Sequence, residues 1–487
     1  VASKPVMSVT EEFERALGII RTRVSLGAGR SRTDLYATAD KPSESFGQAE
    51  HSLSMAVAYS GGLDSSALLH LAHDYAAAHR IKLFAFHVHH GISANADAWL
   101  AHCERQCREL GIAFDADRIS LKDRDRSGLE EAARVGRYAT LGALCRKHKV
   151  PLLLTAHQQD DQAETVLLQL LRGSGVAGIS GMDLLNTAPE LLGDPDLLMG
   201  RPLLAVTRGD LQAFIVERGI AFIEDESNAD PRYARNALRR HVMPELDRYF
   251  PGFQQRLARS ARHAQAAQRL LDQLAAQDLV ACVDGKSILV DRLKRLDADR
   301  MDNLLRHWLD LHGSRMPSTA WLTEMRVQLL NAREDARIRI THADCEIRRH
   351  RNRIFLTPRS FAEVSTPAPV MFRWNGEARL HFEDFGGTLH VESAAGGVDP
   401  DWLRGEDMVI RLRQGGERLK LAANRPTRSL KQHYQALNVP AWERERLPLV
   451  VTASDDLLFA AGIGMNWSAN QKRAEQGIHF IWTSTSS

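Results

Sequence analysis

The feature that most restricts this chain is a junction. An apolar run at residues 53–59 passes directly into Ser60-Gly61-Gly62-Leu63-Asp64-Ser65-Ser66, and a helical pattern starts without a spacer. A short apolar run that enters a glycine turn and leaves as a helix opens a βα unit. The pattern then repeats. Strand-like runs at 83–88, 111–114 and 151–155 alternate with amphipathic stretches after Asp64 and at 95–110, 129–148 and 161–171. Such alternation predicts an α/β fold, a parallel sheet with helices on both faces. Ligands of these sheets bind beyond the carboxyl ends of the strands, so chemistry is expected in the loops that follow the apolar runs.

The junction itself suits an anion. Adjacent glycines let the backbone approach a ligand closely, Ser60 and Ser65 offer hydroxyls, and the next helix presents its first amides with a partial positive charge. The plainer reading is a glycine turn in which Ser or Asp64 caps a helix. The usual P-loop is missing: Gly285-Lys286-Ser287 imitates its end, but Val280 stands where its first glycine belongs.

A second cluster, Thr155-Ala156-His157-Gln158-Gln159-Asp160-Asp161-Gln162-Ala163-Glu164-Thr165, also closes a strand-like run and opens a helix. Asp161 and Glu164 share a helical face, where paired carboxylates can hold magnesium or an ammonium group. Acidic residues also simply enrich first helical turns. Arg134 and Arg137 lie on a helix expected to face the same cleft. His87-Val88-His89-His90 puts two imidazoles on one strand face, but without accompanying Cys or carboxylates the pattern favours nucleotide contact or packing over zinc.

Five cysteines in 487 residues, Cys103, Cys107, Cys145, Cys282 and Cys345, are an odd and sparse set. They fit free thiols in a reducing compartment better than a disulfide framework, and Cys103 and Cys107 match neither a redox nor a common zinc spacing. No apolar run approaches the roughly 18 residues of a membrane span, and no signal-peptide pattern opens the sequence. A soluble, cytoplasmic protein without a membrane partner is expected. A formal charge of +2 from 63 basic and 61 acidic residues leaves polyanion binding to local patches.

Taken together the motifs resemble a known family. Ser-Gly-Gly-x-Asp-Ser is similar to the PP-loop of N-type ATP pyrophosphatases. Downstream, Asp225-Glu226-Ser227-Asn228-Ala229-Asp230-Pro231-Arg232-Tyr233-Ala234-Arg235-Asn236, followed by Arg239 and Pro244, resembles the signature of tRNA(Ile)-lysidine synthetases. The likeness extends to Arg411-Leu412-Arg413-Gln414-Gly415-Gly416-Glu417-Arg418, Leu430-Lys431 and Pro440-Ala441-Trp442, as in the C-terminal module of the long bacterial form. It departs at Ser93, where the family commonly has Arg, and at Val439-Pro440-Ala441-Trp442, where it commonly has Ile-Pro-Pro-Trp.

The resemblance implies a PP-loop catalytic domain of the adenine nucleotide alpha hydrolase type followed by two smaller α+β domains. Residues 1–50 would form an N-terminal helix and a mobile polar segment, 51–250 the catalytic domain, and 251–357 a connector helix and middle tRNA-binding domain. Residues 358–370 would be a linker and 371–487 a C-terminal tRNA-binding domain. It further implies ATP and Mg2+ as cofactors, and free L-lysine and a CAU-anticodon tRNA(Ile) as substrates. Cytosine O2 of the wobble base would attack the α-phosphate and release pyrophosphate, after which the lysine ε-amine would attack C2 and displace AMP.

Carried onto this sequence, Ser60, Gly61, Gly62, Leu63, Asp64, Ser65, Ser66, His87 and His157 would bind ATP, with Asp64 as the metal ligand. Asp64, Asp161, Glu164, Arg137 and Arg235 would be catalytic, and Asp161, Glu164, Asn228 and Arg235 would bind lysine. Basic stretches would touch tRNA through Arg256, Arg259, Arg348, Arg349, Arg413, Arg418 and Lys431, although charge runs are often only solvated faces. Oligomeric state stays open, and a homodimer is compatible with it. The competing readings are tRNA thiolation, which would call for catalytic thiols or an iron–sulfur site, amide transfer, which would need an ammonia source, and a non-catalytic RNA-binding protein on a nucleotide fold.

Overall fold

Strand β1 (Ser54–Ala58) is built from small and apolar residues, and Met55, Ala56 and Val57 are wholly buried. Burial on both faces is what a central parallel strand requires. A computed structural model describes residues 7–25, 54–89, 91, 95–119, 129–224, 234–333, 338–342, 345–358, 367–467 and 473–484. The polar segment expected to be mobile (29–50), Asn228 and most of the linker lie outside the described residues.

The chain divides into two compact units, residues 1–281 with 297–316, and 282–296 with 317–487. In the first, α1 (Val9–Ser25) precedes β1, and α2 (Leu63–His79), β2 (Lys82–His89), α3 (Ala96–Glu109), β3 (Ala113–Arg118), α4 (Leu129–His148), β4 (Leu152–Leu154) and α5 (Gln159–Leu171) follow. Then come α6 (Val176–Ile179), β5 (Leu185–Thr187), α7 (Pro189–Leu192), β6 (Leu198–Gly200), α8 (Arg208–Glu217), α9 (Ala234–Ala237), a π-helical turn (Leu238–Val242), α10 (Met243–Tyr249) and α11 (Phe253–Cys282). The sheet order is β3-β2-β1-β4-β6-β5, parallel throughout except for the antiparallel edge strand β5.

Alternate residues of β1 feed two cores. Met55 and Val57 pack with Leu68 and Leu71 of α2, Leu211 and Ile215 of α8, and Phe13, Leu17 and Ile20 of α1. Ala56 faces Phe84, Phe86 and Leu153 and the α4 side chains Tyr138, Leu141 and Leu144. Phe13, Leu17 and Ile20 each contribute about 1.5–3 kcal/mol by burial, which makes α1 part of the fold. The chain returns from β3 through α4 to pair β4 with the far side of β1. That reversal opens a crevice beyond the carboxyl ends of β1 and β4, the place where ligands bind in open α/β sheets.

Strands β5 and β6 were not foreseen, because three residues carry no readable period. Helix α13 (Ala298–Leu311), expected within a middle domain, belongs to the first unit. Arg300 pairs with Asp278 of α11, and Asn303 Nδ2 donates to Leu271 O at 2.8 Å.

The second unit carries β7 (Val283–Asp284), β8 (Ser287–Leu289), α12 (Val290–Leu293), α14 (Thr319–Asn331), β9 (Ile338–Thr341), β10 (Cys345–His350) and β11 (Arg353–Pro358). These strands form an antiparallel sheet ordered β7-β8-β11-β10-β9. Beyond it lie β12 (Val370–Phe372), β13 (Arg379–Phe382), β14 (Gly387–Ala395), α15 (Pro400–Gly405), β15 (Met408–Arg411), β16 (Arg418–Leu419), β17 (Arg428–Ser429) and α16 (Leu430–Ala436). The unit closes with α17 (Ala441–Arg444), β18 (Leu449–Thr452), β19 (Leu457–Ala460), β20 (Gly464–Met465) and β21 (Gln476–Ser484). Sheets β12-β15-β18-β19-β20 and β13-β14-β21 enclose a core around Leu389, Leu403, Met408, Leu458 and Phe480. Among the described residues no helix is long and apolar enough to cross a membrane.

Candidate active site at the sheet's carboxyl edge

The phosphate loop leaves β1 at Tyr59, whose amide still bonds Phe86 O at 2.8 Å. Gly61 then takes a positive φ of +84°, and a Cβ there would stand 3.0 Å from Cys103 Sγ and from Ile223 Cδ1. Glycine is therefore required both by backbone angle and by space. Gly61 O accepts from Ile223 N at 2.9 Å and from Ser66 Oγ at 3.3 Å, while Ser60 Oγ and Ser65 Oγ lie 3.0 Å apart. Gly62 is the N-cap of α2 and provides no side-chain cap. Asp64, in the first turn, thus does not cap the helix. Its Oδ1 is buried without a hydrogen-bond partner, and its carboxyl is pushed up to about 6, first by burial and then by the charge of Asp161. Arg208 and Arg239 pull the carboxyl the other way without cancelling the burial.

On the adjacent strand end, α5 begins with a reciprocal cap. Gln158 Oε1 accepts from Asp160 N at 2.7 Å, and Asp161 Oδ2 accepts from Gln158 N at 3.0 Å. One turn later Glu164, only 2% exposed, faces the same way. Both carboxylates are held by Arg239: Nε donates to Glu164 Oε1 at 2.6 Å and Nη2 to Asp161 Oδ1 at 3.0 Å. Arg239 sits on the π-helical turn, whose wider winding interrupts the regular helical register between α9 and α10. Burial pushes the Glu164 carboxyl up against the opposing pull of Arg239, whereas Arg239 itself is shifted up because its two carboxylates outweigh its desolvation. A cleft of about 420 Å³ opens beside the pair, with Asp160, Glu164, Arg208, Arg239 and Asp247 among its lining residues.

The two histidines differ in role. His87 is buried, and its Nδ1 lies 3.0 Å from Tyr59 O, so it braces the strand end from which the loop departs. Burial lowers its pKa. His157 has Nδ1 2.9 Å from Thr155 Oγ1, and its pKa falls to about 4, chiefly through desolvation, with Arg201, Arg235 and Arg137 adding to the effect. It is neutral at neutral pH. His89 pairs instead with Asp97 at 3.1 Å, and the described residues contain no cluster of three or more His, Cys, Asp or Glu able to hold a metal. Cys103, Cys107 and Cys145 are buried thiols pushed up to about 12 by desolvation.

Arg235 is exposed and reaches Thr165 Oγ1 at 3.4 Å, and Thr165 Oγ1 donates to Asp161 O at 2.8 Å. Arg137 is exposed, with its guanidinium 5.4 Å from the Tyr138 ring centroid. Sequence reasoning assigned no role to Arg239, although the Asp-x-Ser-Asn motif ends on it. It also passed over Arg208, which lacks any local signal.

Of the residues expected to touch tRNA, Arg256 and Arg259 are exposed on α11, and Arg418 and Lys431 are exposed in the second unit, where Arg413 is half-buried. Arg348 is spent on Glu346 and lies over Trp442. Arg349 needs correcting: it is 4% exposed and donates to the carbonyls of Leu329, Ala332 and Arg351, which leaves it no face for RNA. Its strand position turns it inward, something a count of arginines cannot see.

Known proteins match most of the chain. Residues 35–246 match the PP-loop domain family, 289–355 the TilS substrate binding domain and 408–482 the TilS substrate C-terminal domain. A tRNA(Ile)-lysidine synthase of Burkholderia pseudomallei (strain K96243) is 39% identical over 444 residues, covering 85% of this chain and 89% of that protein. One from Ralstonia nicotianae is 39% identical over 437 residues, with 88% and 92% covered. One from Coxiella burnetii is 36% identical over 406 residues, with 83% and 88% covered.

Proposed function

This chain belongs to the tRNA(Ile)-lysidine synthase family, an ATP-dependent ligase that forms lysidine on tRNA(Ile), and from that premise we propose which residues carry the reaction. What supports it is that Asp64 of the phosphate loop and Asp161 of α5 come together beyond the adjacent strands β1 and β4. The charges of Asp64 and Asp161 are close enough to shift a pKa, and an arginine already occupies the two carboxylates of α5.

Amides at Gly61 and Gly62 and the start of α2 hold the pyrophosphate portion of ATP, with Ser60 and Ser65 as hydroxyl partners. Asp64 Oδ1, buried and unpartnered, fits a magnesium ligand. Bound Mg2+ would neutralise the phosphate oxygens and the growing charge of the leaving pyrophosphate. The wobble cytosine of a CAU anticodon enters the cleft, and its O2 attacks the α-phosphorus, releasing pyrophosphate. The ε-amine of free L-lysine then attacks C2, loses a proton, and AMP departs with the former O2.

Asp161 and Glu164 bind the ammonium of lysine, since a pair that holds a guanidinium at 3.0 and 2.6 Å suits a cationic donor. Arg235 and Arg137 flank the adenylate, and neutral His157 offers it a hydrogen bond without adding charge. Residues 251–357 and 371–487 hold the rest of the tRNA through Arg256, Arg259, Arg413, Arg418 and Lys431. Buried free thiols fit a cytoplasmic location, and the high pKa of Cys103 and Cys107 speaks against thiol catalysis.

Transfer of labelled lysine to unmodified tRNA(Ile), run beside a wobble-base mutant and Asp64→Ala enzyme, tests the reading. One AMP and one pyrophosphate per lysine are expected with wild-type partners only. Transfer to the wobble-base mutant would refute the assigned acceptor.

A further inference from the structure

Of all described Phe, Tyr and Trp side chains, two alone are exposed, and they are consecutive: Tyr249 at 67% and Phe250 at 59%. They form the corner between α10 and α11. The corner is fixed rather than loose. Phe250 N bonds Leu246 O at 2.7 Å, Gly252 N bonds Asp247 Oδ1 at 3.2 Å, and Phe253 N bonds Phe250 O at 3.0 Å. Phe253 is buried in a small core with Ala163 and Met243, which ties the corner to α5 beside Glu164. The cleft is lined by Asp247 immediately before the corner and by Gln254 immediately after it. The aromatic pair therefore stands on the rim of the cleft.

Its surroundings are cationic as well as acidic. The Arg248 guanidinium lies 5.5 Å from the Tyr249 ring centroid and 3.8 Å from Glu245, and Arg256 Nη2 donates to Pro251 O at 2.5 Å. Arg259 is exposed less than a turn further along α11. Aromatic faces beside arginines are how proteins hold unpaired nucleobases, because stacking takes any base while the cations meet the phosphates. We propose that Tyr249 and Phe250 form a stacking platform for unpaired bases of the tRNA loop whose reactive base enters the cleft, and that they position the loop without touching the reacting atoms. The proposal rests on the entry of that base into this cleft.

Full-length Tyr249→Ala, Phe250→Ala and the double variant test it. Each single change is expected to raise KM for tRNA(Ile) roughly tenfold, the scale of one lost base stack. The expected kcat at saturating tRNA, and the KM values for ATP and lysine, stay at wild-type levels. Tyr249→Trp should retain activity, and its fluorescence should be quenched by an anticodon stem-loop but not by a duplex of equal length.

Unchanged tRNA KM in the double variant would overturn the platform. So would parallel losses in all three KM values with a lowered melting temperature, which would mark a structural role. A wild-type dimer that the double variant converts to monomer would assign the pair to a second copy of the chain instead. Stem-loop quenching is read without turnover, so it separates failure of the platform from failure of the lysine-transfer assignment.

Discussion

Asp64→Asn should stabilise the ligand-free protein while destroying its activity. In the folded chain the Asp64 carboxyl rises from 3.8 to about 6, through burial first and Asp161 second, against Arg208 and Arg239. Because the folded value lies above the unfolded one, the native state holds a proton that the unfolded state releases between them. Stability is therefore lost as pH rises through that window, and the full cost is present above its upper end. A shift of about two units at about 1.4 kcal/mol each sets an upper bound of roughly 3 kcal/mol. Asparagine has nearly the same shape and no charge, but its amide brings unmet donors of its own, so a gain of about 1–3 kcal/mol is expected near pH 8. Near pH 5 about half of that gain should remain, and near pH 4 about a fifth.

Urea unfolding followed by circular dichroism, at matched pH and without nucleotide, measures the difference on the transition of the first unit. ATP with Mg2+ should then stabilise the wild type and leave the variant little changed. A variant less stable than wild type near pH 8, or a difference that stays constant with pH, would refute the reasoning, because either would mean that the native carboxylate already has a partner.

Other perturbations have equally definite outcomes. Arg239→Ala strands Glu164, whose side chain is 3% exposed, and thermal or urea unfolding should show a loss of about 2–4 kcal/mol, less than for a fully buried pair because Arg239 is 38% exposed. Gly61→Ala forces a side chain into φ +84° against Cys103 and Ile223, so the strain of about 1–2 kcal/mol should appear in melting and KM for ATP should rise about tenfold or more. Arg349→Met should lower the stability of the second unit by about 2–4 kcal/mol through the carbonyls left without donors, with unchanged tRNA affinity in the folded fraction by filter binding. Native Cys103, Cys107 and Cys145 should resist alkylation near pH 8 and react fully on denaturation, as mass spectrometry can count.

The elements that proved legible are those with long, clean periods. Helix α4 spans residues 129–148 as the apolar spacing predicts, and α11 (Phe253–Cys282) stands where the connector helix was expected. The glycine pair was readable because a strand end, a tight turn and a helix start lie within ten residues. β6 has only Leu198, Met199 and Gly200, and it becomes a strand because β4 lies beside it, with Leu152 opposite Leu198. β14 and β21 pair over nine residues but are polar along one face, and their partnership spans nearly ninety residues of chain. Local patterns do not carry such long-range pairings.

Local chemistry therefore sits in the sequence and its company does not. The chain's own order dictates a glycine turn at Ser60–Asp64 that opens a helix and a shared helical face for Asp161 and Glu164, since both depend on φ preferences and on spacings of a few residues. Whether these two groups meet depends on the strand order, which puts β4 against β1 although β2 and β3 intervene. That order, with a π-helical turn near residue 240, delivers Arg239 to both carboxylates and leaves Asp64 buried with Oδ1 unpaired. Desolvation and ion pairing act only between groups that packing has brought together, so the charge state of the site was decided by the tertiary structure.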